Sequence, residues 1–121
     1  MAYPYVPPLQ NKFVTMQISD ISTAGQKYFV PGFNGKIRKI YSVINGTIAT
    51  ADADLTAKIG GTAVTGGLIT VTASGSAAGD VDSTSPTALN SFTSSQAVEI
   101  ETDGASTNTI AVAITFELEP G

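Results

Sequence analysis

The sequence predicts an all-β fold, a jelly-roll-like antiparallel sandwich of about eight strands with an extended, proline-rich N-terminal arm. Three observations predict it. Apolar residues alternate with period two in segments of about four to ten residues. Clusters of Gly, Asn, Asp and Pro separate these segments at spacings near ten. No stretch of about ten residues keeps a helical period. A chain of 121 residues makes one domain of ordinary size. We divide it into an arm, residues 1–11, and a single β-sandwich domain, residues 12–121.

The arm comes first. Pro4, Pro7 and Pro8 favour extended polyproline geometry and block helix. Tyr3, Tyr5, Val6 and Leu9 place apolar side chains along it, as expected of a segment that lies on a neighbouring subunit. The segment "KFVTMQIS" then sets Val14, Met16 and Ile18 on one face against Phe13, Thr15 and Gln17 on the other. "QKYFVP" is a short second strand closed by Pro31 and Gly32. In "GKIRKIYSVIN", plain alternation places Ile37, Lys39, Tyr41 and Val43 opposite Arg38, Ile40, Ser42 and Ile44. This strand ends at Asn45-Gly46, a strong turn dipeptide.

"DLTAKI" is a fourth strand, and "LITVT" follows a glycine-rich stretch. Residues 73–87 read as a long polar loop with a brief strand at Asp80–Asp82. "ALNSF" is another short strand. "QAVEIET" turns Val98 and Ile100 inward and Glu99 and Glu101 outward, and "DGASTN" is a turn. The last strand, "TIAVAITFELE", carries the clearest apolar face: Ile110, Val112, Ile114, Phe116 and Leu118.

The glycine stretch "KIGGTAVTGGLITV" tests for a phosphate loop. Such a loop leads from a strand into a helix whose N-terminus meets the anion, with Lys after the last glycine in the Walker form. Here strand-like residues follow both glycine pairs, and Lys58 precedes them. Gly60-Gly61 fits a two-residue hairpin turn, and Gly66-Gly67 is expected to start the next strand.

Other chemistry is equally thin. The chain has no His, Cys or Trp, which excludes nucleophilic triads and His- or Cys-based zinc sites. Glu99 and Glu101, roughly 7 Å apart along a strand, have the spacing of a glycosidase pair. They lack an aromatic sugar platform nearby. "DAD" at Asp52–Asp54 and "DVD" at Asp80–Asp82 offer oxygens but do not match a calcium loop. No enzymatic activity, cofactor, metal or small-molecule substrate is expected.

Charged residues make up only 13% of the chain, so a surface of Thr, Ser, Asn, Gln and Ala is left for contact with other proteins. Residues 1–58 hold all six bases and three acids, +3; residues 59–121 hold seven acids and no base, −7. Lys36, Arg38 and Lys39 form the one basic cluster. It is too thin for nucleic acid to be the expected partner. No secretory signal is read in the first ten residues. No apolar run nears the roughly 20 residues that cross a bilayer, so no membrane partner is expected.

The stretches "IRKIYSVINGTIATADADLTAKIGGTAVTGGLITV", "SGSAAGDVDSTSPT" and "VEIETDGASTN" resemble small virion proteins of tailed bacteriophages, the head decoration or cement proteins. The likeness spans roughly residues 12–118. It implies a compact, non-enzymatic, trimeric β module. Such a module is made in the host cytoplasm and sits on the outer capsid surface, where it bridges major capsid protein subunits. In that setting the arm (Tyr3, Pro4, Tyr5, Val6, Pro7, Pro8 and Leu9) and the cluster Lys36, Arg38 and Lys39 are the expected contacts, with the acidic second half facing solvent. Two other readings stay open: a tail, connector or fibre-associated virion protein, and a carbohydrate-binding sandwich. For the latter, Tyr3, Tyr5, Tyr28 and Tyr41 are the available aromatics, although Tyr28 and Tyr41 are expected in the core or an interface.

Overall fold

A computed structural model describes residues 10–121 of the chain. The described residues form nine strands: β1 (Lys12–Ile18), β2 (Gly25–Phe29), β3 (Gly35–Ile44), β4 (Ala53–Ile59), β5 (Thr62–Val71), β6 (Val81–Thr84), β7 (Ser91–Phe92), β8 (Val98–Thr102) and β9 (Val112–Pro120). They make two packed antiparallel sheets. Sheet 1 has the order β1-β9-β3-β6, with β7 also pairing β3; sheet 2 has the order β2-β8-β4-β5. The pairings β4·β5, β3·β6, β2·β8 and β1·β9 nest inside one another along the chain. The brief strand expected at Asp80–Asp82 is β6, and "ALNSF" contributes only β7 and a bridge from Ala88 to Thr65.

The core lies between the inner faces. Val112, Ile114, Phe116 and Leu118 of β9 have no exposed surface; Ile100 and Val98 of β8 and Leu55 of β4 match them from sheet 2. Each such side chain contributes roughly 1.5–3 kcal/mol on burial. The ring of Phe116 meets Phe29 at 5.2 Å, tilted by 60°. One end of the core is closed by Ile21 and Ile48, both buried and both outside the strands. At the other end Phe33 and Phe92 pack edge to face at 5.6 Å.

β3 departs from plain alternation. Ile37 pairs Leu118 while Lys39 pairs Glu117, so Arg38 is an extra, bulged residue. The bulge changes the frame. Ile37 joins Ile40, Ser42 and Ile44 on the buried face, and Lys39, Tyr41 and Val43 face outward. Spacing three between Ile37 and Ile40 cannot be served by one flat strand, and burial of both overrides it.

The glycine pairs do different jobs. Gly60 and Gly61, with φ of 57° and 84°, close a two-residue turn between Ile59 and Thr62. Gly66 and Gly67 do not start a strand; they lie inside β5. Between the pairs Thr56–Leu68 and Lys58–Ala63, one residue of β4 faces residues 64–67 of β5. This wide bulge turns at Gly66, with φ of 77°. It pushes β5 toward residues 84–88: Thr65 N–H donates to the Ala88 carbonyl at 3.0 Å, Thr87 N–H to the Thr65 carbonyl at 3.0 Å, and Thr84 Oγ1 to the Gly66 carbonyl at 2.7 Å.

The β5–β6 side of the sandwich is thus stitched shut. On the opposite side, β1 and β2 edge an open seam lined by Ile18, Thr23, Gly25 and Lys27. Asn45-Gly46 does end β3, but no hairpin follows; the chain crosses to sheet 2 and becomes β4.

Candidate functional site

Every strand pair is antiparallel, so connections collect at two ends. The chain enters β1 and leaves β9 at the same end, shared with the Gly60-Gly61 turn and Phe92. We term it the arm end, because residues 1–9, which lie outside the described residues, precede it. Asn11, the last arm residue, donates through Nδ2 to Glu117 Oε2 at 2.7 Å. The expected contacts Tyr3, Pro4, Tyr5, Val6, Pro7, Pro8 and Leu9 therefore lie outside the described residues.

Lys36, Arg38 and Lys39 do come together at the start of β3, on the arm side. They do not stand alone. β9 runs beside them, with Lys36 paired to Glu119 and Lys39 to Glu117. Arg38 Nε lies 3.0 Å from Glu119 Oε2, with both side chains about half exposed. Lys39 Nζ sits 5.1 Å from the centroid of the Tyr41 ring. The cluster's field is therefore partly cancelled by glutamates some 80 residues away in sequence, and Lys12 at the start of β1 adds to the positive charge that remains.

Charge sorts by end of the molecule rather than by half of the sequence. Asp20, Asp52, Asp54, Asp80, Asp82 and Asp103 all lie in or within two residues of the loops at the far end, after β1, β3, β5 and β8. The glutamates stand on strands: Glu99, Glu117 and Glu119 in the arm-side half, and Glu101 mid-sheet, bonding Lys58 Nζ at 3.2 Å. The basic first half and acidic second half of the sequence become, in space, an arm end with charges of both signs and an aspartate end opposite it.

These aspartates hold loops. Asp20 accepts from the Ser22 hydroxyl, from Thr23 Oγ1 at 2.7 Å and from Ser22 N–H at 2.9 Å. Those bonds, the Ser22 hydroxyl foremost and then Thr23, hold its carboxyl below the ordinary value of 3.8. Asp52 accepts from Ala73 N–H at 2.9 Å and Asp80 from Ala77 N–H at 2.9 Å. Among the described residues no three acidic side chains gather as they would around a metal ion.

Glu99 and Glu101 share the outer face of sheet 2, and Glu99 is only 7% exposed there. Tyr28 of β2 and Lys58 of β4 stand directly opposite it on either side and cover it. Tyr28 itself is 56% exposed, so of the two places expected for it the core is excluded, and Tyr41 is half-buried.

Sequence reasoning missed an apolar strip on the outer face of sheet 1. Val43 pairs Val81 on one side and Ala113 on the other, with Val81 65% exposed; Phe13, 63% exposed, stands apart from this strip on the same face, beside Glu117. The signal for Phe13 was its odd position in β1. That for Val43 was masked by the bulge. Solvent-exposed apolar groups gathered on one face mark contact surfaces.

No protein-family model matches this chain, and no curated protein matches it in sequence.

Proposed function

We propose that this chain is a non-enzymatic structural protein of a tailed-phage particle, decorating the capsid and cementing it by bridging major capsid protein subunits. The observation that carries this reading is polarity. Lys12, Lys36, Arg38 and Lys39 lie at the end from which residues 1–9 depart, while the six aspartates crowd the other end. A polar, small-residue module with one gripping end and one strongly acidic end suits repeated docking in a single orientation. The nested strand pairing supports assigning the sandwich to the jelly-roll type. The resemblance adds the homotrimer and the outer capsid surface as its setting.

Stapling is the mechanism. A copy that bridges two subunits adds its own contacts to those that must break before the shell opens, and many modest contacts sum through multivalency. Cryo-electron microscopy of intact particles tests this directly. Hundreds of copies between capsomers are expected; six or twelve at a vertex or along the tail would make it a connector or tail component instead. Charge reversal at Lys36, Arg38 and Lys39 together should lower occupancy of the shell at low salt. Shells without the protein should rupture at lower temperature. Equal rupture thresholds would sink the cementing role.

One observation favours a second reading. Tyr28 stands exposed on the outer face of sheet 2, as sugar-binding aromatics do. Glycan-array binding that vanishes in Tyr28→Ala would establish a carbohydrate-binding module.

A further inference from the structure

We infer that β1 is a self-pairing edge through which two copies of this chain join into one continuous sheet. The argument starts from backbone bonds. Among the described residues, β1 pairs only with β9, and no other backbone hydrogen bond engages residues 12–18. An edge strand carries a row of outward N–H and C=O groups that only another strand can satisfy in series.

The other edges are guarded. β5 is bulged at Gly66 and stitched to residues 84–88. The far side of sheet 1 is broken into β6, four residues with Asp82, and β7, two residues. β2 carries Lys27 at its centre, which an antiparallel copy of β2 would set against itself. β1 has none of these devices. It is seven residues long, has no proline, bulge or glycine, and bears one charge, Lys12, at its very end.

Its sequence is also self-complementary. A two-fold axis through Thr15 places Phe13 against Gln17, Val14 against Met16 and Lys12 against Ile18, so no like charges meet. The same pairing sets Val14 of one copy beside Met16 of the other; both pack against the core and are only partly buried. The joined sheet would run β6-β3-β9-β1 into β1-β9-β3-β6 of the second copy. This contact is two-fold, unlike the three-fold grouping that the resemblance implies, and does not depend on the proposed capsid role.

The test uses the purified full-length chain. The chain contains no cysteine, so Thr15→Cys introduces a single thiol at the axis. Mild oxidation should convert Thr15→Cys to a covalent dimer and leave Gln26→Cys, on β2, uncoupled. Sedimentation equilibrium should show a dimer whose dissociation constant rises by about tenfold or more in Thr15→Lys. It should not change in Gln26→Lys. Because Thr15 is exposed, Thr15→Lys should keep the far-ultraviolet circular dichroism of the folded chain. A monomer at about 0.1 mM overturns the proposal. So does a trimer or open-ended oligomer whose mass ignores Thr15→Lys, or a dimer that Thr15→Cys fails to cross-link.

Discussion

The two ends of this sandwich are built on opposite plans. The arm end is closed by aromatic packing of Phe33 on Phe92, a two-residue turn and strand-borne charges of both signs. The aspartate end is closed by two isoleucines, Ile21 and Ile48, set in loops where Asp20 binds its own loop's Ser22 and Thr23 and Asp52 binds Ala73 N–H of the neighbouring loop. At the first, charge lies on strands and faces outward; at the second, Asp20, Asp52, Asp80 and Asp103 hold loops. A surface meant to meet a partner needs preorganised groups, and the arm end supplies them. The aspartate end supplies net negative charge and solubility instead.

The sharpest way to break this contrast is through the two plugs. Phe92→Ala should cost about 3–5 kcal/mol, since it removes a buried ring and its aromatic partner contact. Ile48→Ala should cost about 2–4 kcal/mol, because a loop collapses onto a cavity more readily than a strand does. Urea unfolding gives both values, and amide exchange should show each variant loosening its own end first. Uniform loosening in both would mean that the ends are not separate units.

Gly60→Ala should cost about 1–2 kcal/mol, the cost of a side chain held at positive φ. A variant as stable as the parent would show that the arm-end turn can rearrange. Arg38→Ala should lose less than about 1 kcal/mol, with the loss fading in 1 M salt, because the Glu119 pair is half exposed. The smallest effect is at Asp20. Its folded carboxyl titrates below the unfolded one, so its contribution is complete above about pH 4 and is lost as the pH falls through the depressed value. The stability gap between parent and Asp20→Asn should be constant from pH 7 to about pH 4 and shrink below it. A gap that widens on acidification would contradict that assignment.

Much of this was legible from residues in a row. β9 reads unambiguously because Val112, Ile114, Phe116 and Leu118 alternate without interruption, and the Gly60-Gly61 turn is written in a dipeptide. What was hidden depends on pairings distant in sequence. Glu99 was read as outward, which it is, but its burial follows from Tyr28 and Lys58 arriving opposite it on other strands. The basic cluster was visible as Lys36, Arg38 and Lys39, while its neutralising partners Glu117 and Glu119 come from the far end of the chain. The bulge at Arg38 had a trace in the three-residue step from Ile37 to Ile40, which plain alternation cannot bury on one face.

The nested pairing also dictates an order of events. β4 and β5 need close only a two-residue turn, whereas β1 and β9 must find each other across 100 residues from Thr15 to Thr115. Closing such distant pairs costs chain entropy before any contact rewards it, and proteins of this kind fold in milliseconds to seconds. β9 follows all the other described strands in sequence and yet fills the middle of sheet 1, between β1 and β3. Until it docks, β1 and β3 have no common neighbour and their apolar faces stay open to water. Sheet 2 can assemble on β8 while sheet 1 waits. A chain growing on a ribosome would hold the sheet 1 side of its core exposed until β9 emerges.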